Sequence, residues 1–112
     1  MADRFFQGYV YQLQGSIPRT FGVIDNKEIV SCSNQELIGN RNSFQLMSCR
    51  AAENECFFAG NNTYRIFYEN SFVKFAVFVE GTDKVAREYA TILSVCFTGM
   101  KSYFEEKYNR QQ

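Results

Sequence analysis

The side chains able to do chemistry are few in kind. The 112-residue chain has no histidine. That removes the usual general base at neutral pH, the commonest zinc ligand and every His-dependent triad. Catalysis would fall to carboxylate pairs, lysine or cysteine. The carboxylate pairs are Glu53 with Glu55, on one side of a strand by their spacing, and Glu105 with Glu106 in a charged C-terminal stretch. Neither pair has a matching nucleophile or metal partner. Cys32, Cys49, Cys56 and Cys96 are widely spaced, with no C-x-x-C pair of the kind a structural zinc site uses. They read as small buried hydrophobes in a reduced, cytosolic protein. No glycine-rich phosphate loop is present. The sequon Asn61-Asn62-Thr63 is most simply a turn. The expectation is no enzyme, no metal and no cofactor.

The cations are more informative. If Asn70-Ser71 is a two-residue hairpin loop, Phe67 pairs with Lys74 and Arg65 with Ala76. Arg65 and Lys74 then share one sheet face with Phe67, Phe72 and Phe78. A cation in an aromatic-lined cleft is what a carboxylate ligand requires. Arg41 and Arg50 would complete the set. The expected ligand-binding residues are thus Arg65, Lys74, Phe67, Phe78, Arg41 and Arg50. The plainer alternative is that the long stems cover the sheet edge and the charges reach water.

Charge excludes other classes. Twelve Lys/Arg balance twelve Asp/Glu, for a formal net charge of zero. Such a chain has no electrostatic footprint for nucleic acid or an anionic membrane. The aromatic share of 17% could stack bases only beside a basic groove, and none is evident. The longest apolar run, Phe75 to Val79, is far below the roughly 20 residues needed to span a bilayer. Nothing reads as a targeting segment.

The elements that must position these residues follow from periodicity. Phe5, Phe6, Tyr9, Val10 and Leu13 form one helical stripe over about 3–15, ended by Gly15, Ser16 and Pro18. Residues 20–33 read as a hairpin turning at Asn26-Lys27, with Val23 opposite Val30 and Phe21 opposite Cys32. A polar connection (34–42) and a short helix (43–53, capped by Ser43) lead to strands at 55–59, 63–69 and 72–80. Gly81 and Thr82 cap a helix over about 83–109. Its seam is Ala86, Tyr89, Leu93, Cys96, Met100 and Tyr103, with Val85, Ile92 and Phe104 beside it. The order predicts an α+β, PAS/profilin-like domain: a five-stranded antiparallel sheet, the N-terminal and long C-terminal helices on one face, and a pocket on the other. A roadblock- or longin-like sandwich is the alternative. One domain fills residues 1–112, with 103–112 reading as the start of a linker.

Three phrases resemble a bacterial sensor domain. They are Val23-Ile24-Asp25 followed by Ile29-Val30-Ser31-Cys32-Ser33 and Ile38-Gly39; Phe75-Ala76-Val77-Phe78-Val79-Glu80-Gly81 followed by Ala86, Tyr89 and Ala90; and Tyr103-Phe104-Glu105-Glu106-Lys107-Tyr108-Asn109. The chain resembles the sugar-diacid recognition domain of carbohydrate-diacid and purine-catabolism type transcriptional regulators. The resemblance implies a cytoplasmic sensor fragment that binds a small anionic metabolite and reaches DNA only through a downstream helix-turn-helix part. The alternative is a ligand-free dimerisation module. Either way a homodimer is expected, built from Phe5, Tyr9, Tyr89, Leu93, Cys96, Met100 and Tyr103, because a helix of some 40 Å outreaches one small sheet.

Overall fold

The computed structural model describes residues 4–42, 44, 46, 51 and 54–99. It is an α+β fold with helix α1 (Arg4–Leu13), strands β1 (Phe21–Ile24), β2 (Ile29–Cys32), β3 (Cys56–Ala59), β4 (Asn62–Glu69) and β5 (Lys74–Glu80), and helix α2 (Lys84–Thr98). A 3₁₀ turn, Gln35–Leu37, follows β2. All pairings are antiparallel in the order β2-β1-β5-β4-β3, so the sheet has the expected PAS/profilin-like form. Most of the expected short helix at 43–53, and the reach of the last helix past residue 99, lie outside the described residues.

Helix α1 exists for its buried stripe. Phe6 and Val10, one turn apart, are fully buried, and Leu13 packs beside them. The same helix closes an edge of the sheet. Gln7 donates to the Cys32 carbonyl at 3.1 Å, and the Cys32 amide donates to Gln7 Oε1 at 3.0 Å. Edge backbone groups that would otherwise face solvent are thereby paired.

Both hairpins differ in register from expectation, each by a bulge. In the first, Val23 opposes Ser31 and Gly22 opposes Cys32, not Val30 and Phe21, while Ile24 opposes Ile29. Val30 is the extra residue, and it sends Cys32 to the face of Ile24. Asp25 Oδ1 fixes that turn by accepting from the amides of Lys27 and Glu28 at 2.8 and 2.9 Å. In the second, Glu69 opposes Lys74 and Arg65 opposes Val77, not Phe67–Lys74 and Arg65–Ala76. The loop is Asn70 to Val73, not two residues. Asn70 Oδ1 accepts from the amides of Phe72 and Val73. Phe67 is the extra residue here.

These parities define two cores. Against the helices lie Phe21, Val23, Val30, Phe67, Val77 and Val79 of the sheet, with Phe6, Val10, Ala86, Ala90, Leu93 and Phe97. Phe67 sits between Phe6 and Phe97, ring centroids 5.8 and 5.5 Å away. On the opposite face Ile24, Cys32, Tyr64, Ile66, Ala76 and Phe78 are covered by fully buried Leu46 and by Leu37, Ile38, Phe44 and Ala51. Where a pocket is expected on this second face, the described residues Leu37, Ile38, Phe44, Leu46 and Ala51 pack over the sheet.

Helix α2 is capped by Asp83, not by Gly81 or Thr82: the Asp83 side chain accepts from the Ala86 amide at 3.2 Å. Its buried stripe is Ala86, Ala90, Leu93 and Phe97, with Ser94. The helix is therefore turned relative to the expected seam. Leu93 is fully buried in its own core and Tyr89 flanks that core, but Cys96 faces solvent. Leu93 is thus not available to a partner. Met100 and Tyr103 lie outside the described residues, as does the side chain of Phe5.

Candidate functional site

The structure does not bring the expected ligand-binding residues together. By the alternation of β5, Lys74 shares the face of Ala76 and Phe78, opposite the helices; it is buried, with Nζ 3.9 Å from Glu69 Oε1. Arg65 opposes Val77 and so takes the helix face. Phe67 is fully in the helix-side core, and Phe78 packs beside Tyr64 on the other side. Arg41 is exposed and bridges Glu28 through its backbone. Arg50 lies outside the described residues. The shared Arg65/Lys74 face is corrected by the extra Phe67, which flips the strand between them.

Arg65 instead lines a cleft of about 720 Å³ between α2 and the β3–β4 edge, with Cys56, Lys84, Arg87, Glu88, Thr91 and Ile92. Cys56 is directly opposite Arg65 across the β3–β4 ladder. Lys84, Arg87 and Thr91 recur at helical spacing along α2, which puts them on one side.

Arg65 is incompletely satisfied. Its Nε is buried with no hydrogen-bond partner. Its Nη1 donates to Cys56 Sγ at 3.7 Å, a weak acceptor. A buried donor left unpaired costs about 1–3 kcal/mol. The helix cations are also placed against local preference. Lys84 and Arg87 fall in the first turn of α2, which holds no acidic residue. Cations there oppose the helix dipole by about 0.3–1 kcal/mol each. Glu88 relieves Lys84 only weakly, at 4.0 Å and in solvent.

The negative charge of the Asp83 cap is already engaged. Arg19 donates to both its carboxylate oxygens, at 2.5 and 2.8 Å. The Arg19 hydrogen bonds hold the Asp83 carboxyl well below the usual carboxylate range and raise the guanidinium in return. Burial pushes the Cys32 thiol up, which disfavours its reactive thiolate. Among the described residues no group of three His, Cys, Asp or Glu could hold a metal, and no helix is long and apolar enough to cross a membrane.

Sequence reasoning missed Lys84, Arg87, Glu88 and Thr91 as site residues and took Cys56 for core. Lys84, Arg87 and Thr91 recur on one helix side in the sequence, but with the helix read as starting at Asp83 nothing there sets that side apart or ties it to Arg65 and Cys56.

No family model matches the chain, and neither a curated protein nor a solved structure matches it. The likeness to sugar-diacid recognition domains stands on its three sequence patches alone.

Proposed function

We propose that the chain is the small-molecule-sensing regulatory domain of a bacterial transcriptional regulator. It works in the cytoplasm as a homodimer, takes a small anionic metabolite, and signals through α2 to a DNA-binding part. The observation that supports this is the double use of α2. Ile92 lines the cationic cleft, yet with Val85 and Val95 it also forms an apolar stripe open to solvent, 57% exposed at Ile92 and 66% at Val95. A ligand in the cleft and a second subunit on the stripe would bear on the same helix. Binding of one would then change the affinity of the other.

A thermal-shift screen of small organic and inorganic anions tests the reading. A specific ligand at a hundredfold excess over its dissociation constant stabilises by about 2.7 kcal/mol. A ligand that also shifts the sedimentation coefficient supports signalling through association. A ligand-free dimerisation module is the second reading. It is favoured by the second face, over which Phe44 and Leu46 pack. A dimer with no stabilisation by any anion would select it.

A further inference from the structure

Building on the sensing role proposed above, we infer that the cleft between α2 and the β3–β4 edge is a phosphoryl-binding site. It takes a small phosphate monoester, with Arg65, Lys84 and Arg87 around the terminal oxygens. The charge balance favours a dianion on a single centre. Among the described residues three cations line the cleft against one carboxylate, Glu88. A phosphate monoester brings about −1.5 to −2 charges and three strong acceptor oxygens. A single carboxylate brings one charge and two oxygens, too little for the three donors.

Each cation has a reason to accept that partner. Arg65 stands half-buried on the helix side of the sheet with its hydrogen bonding unfinished: Nε has no acceptor, and Nη1 has only a thiol sulfur. A phosphate oxygen would displace the sulfur as acceptor. Lys84 and Arg87 sit in the first turn of α2, where an anion suits the dipole and cations do not. The nearby Asp83 charge does not oppose the ligand, because Arg19 neutralises it. The Asp83 side chain also occupies the Ala86 amide, so the site is made by side chains rather than by the helix backbone. Thr91 and Ile92 extend the wall beyond the charges and fit a short carbon body.

Cys56 supplies a reporter inside the cleft, and Cys96, exposed on α2, a control outside it. The experiment follows alkylation of both thiols by N-ethylmaleimide, mapped by mass spectrometry. It is run at equal ionic strength with inorganic phosphate, glycerol 3-phosphate, succinate or acetate, alongside thermal unfolding. Glycerol 3-phosphate at ten times its dissociation constant should slow Cys56 about tenfold, while Cys96, outside the cleft, reports separately on any change in association. Arg65→Gln should weaken protection about ten- to a hundredfold. Arg87→Gln, at an exposed helix position that cannot unfold the domain, should weaken it in the same direction. The site assignment is overturned by equal protection from acetate, by protection undiminished in Arg87→Gln, or by succinate stabilising the fold without shielding Cys56. In those cases the sensing role survives. If no anion either stabilises the fold or shields Cys56, both are wrong.

Discussion

At the scale of single residues, two positions are decided by contacts that leave no slack. A Cβ on Gly22 would fall 2.2 Å from the Ser31 carbonyl oxygen and 2.8 Å from Cys32 Cα. Both are backbone atoms of the neighbouring strand, so neither can swing aside. Gly22→Ala should destabilise by about 1–3 kcal/mol, or more if the β1–β2 pairing parts, read from the denaturant midpoint. The second position is the Arg19–Asp83 pair, which joins the loop before β1 to the start of α2. Because the Asp83 carboxyl is depressed in the folded state, the unfolded chain binds the extra proton in the carboxylate range. The contribution of the pair is present above the unfolded carboxylate value, about pH 4, and is lost as pH falls toward the native one. The stability gap between the native chain and Arg19→Gln should therefore be flat between about pH 6 and 8 and narrow below about pH 4. Asp83 is exposed and Arg19 half-buried, so added salt should shrink the gap at every pH. A gap that widened on acidification would show that Arg19 acts through packing rather than through the ion pair.

At the scale of elements, α2 separates packing from association. Leu93 is fully buried between the sheet and α1, whereas Val95, two residues on, is mostly in solvent. Leu93→Ala should cost about 2–5 kcal/mol. Val95→Ala should stay within about 0.5 kcal/mol in the monomer. Equal losses from the two, measured by urea unfolding, would place α2 in the wrong rotation. This rotation also shows what the sequence carries and what it does not. The spacing of Phe6 with Val10 and the alternation through β4 and β5 were enough for element types, order and sheet class, since both follow from periodicity. The exact parity was not legible. A bulge inserts one residue and reverses every side chain beyond it. Val30 and Phe67 have no composition that marks them as extra residues. Arg65 and Lys74 therefore read as neighbours on one face and stand on opposite faces. The α2 seam failed for a related reason. Ala86, Leu93 and either Cys96 or Phe97 fit an apolar stripe equally well, and only the packed sheet and the Phe6 and Phe67 rings select Phe97. The cleft was hidden because its walls come from β3, β4 and α2, and nothing local ties Cys56 to Arg87.

At the scale of the whole molecule, the open question is what covers the outer side of α2. Val85, Ile92 and Val95 lie along one side of the helix, and Tyr9 and Tyr11 are exposed on α1. From Thr91 to Gly99, α2 carries no charge, and α1 carries none after Arg4. The uncharged end of this surface, around Ile92 and Val95 and past Glu88, does not repel its own copy, so two domains can meet there about a two-fold axis with the same residues on each side. The interface proposed earlier thus loses buried Leu93, keeps exposed Cys96 one turn from Ile92, and gains Ile92 and Val95, with Tyr9 at its margin beside Phe97. We predict a dimer at tens of micromolar in analytical ultracentrifugation. Val95→Glu should leave the circular dichroism unchanged, because the side chain touches little of its own core. The same change should give a monomer, because a two-fold axis brings two unpaired carboxylates into one apolar contact, and burying even one such charge costs about 3–5 kcal/mol. Tyr11→Glu, farther along α1, should weaken association less. If the native chain sediments as a monomer, or if Val95→Glu remains a dimer, the stripe is not the subunit contact. Signalling through α2 would then have to run through the motion of the helix within a single domain.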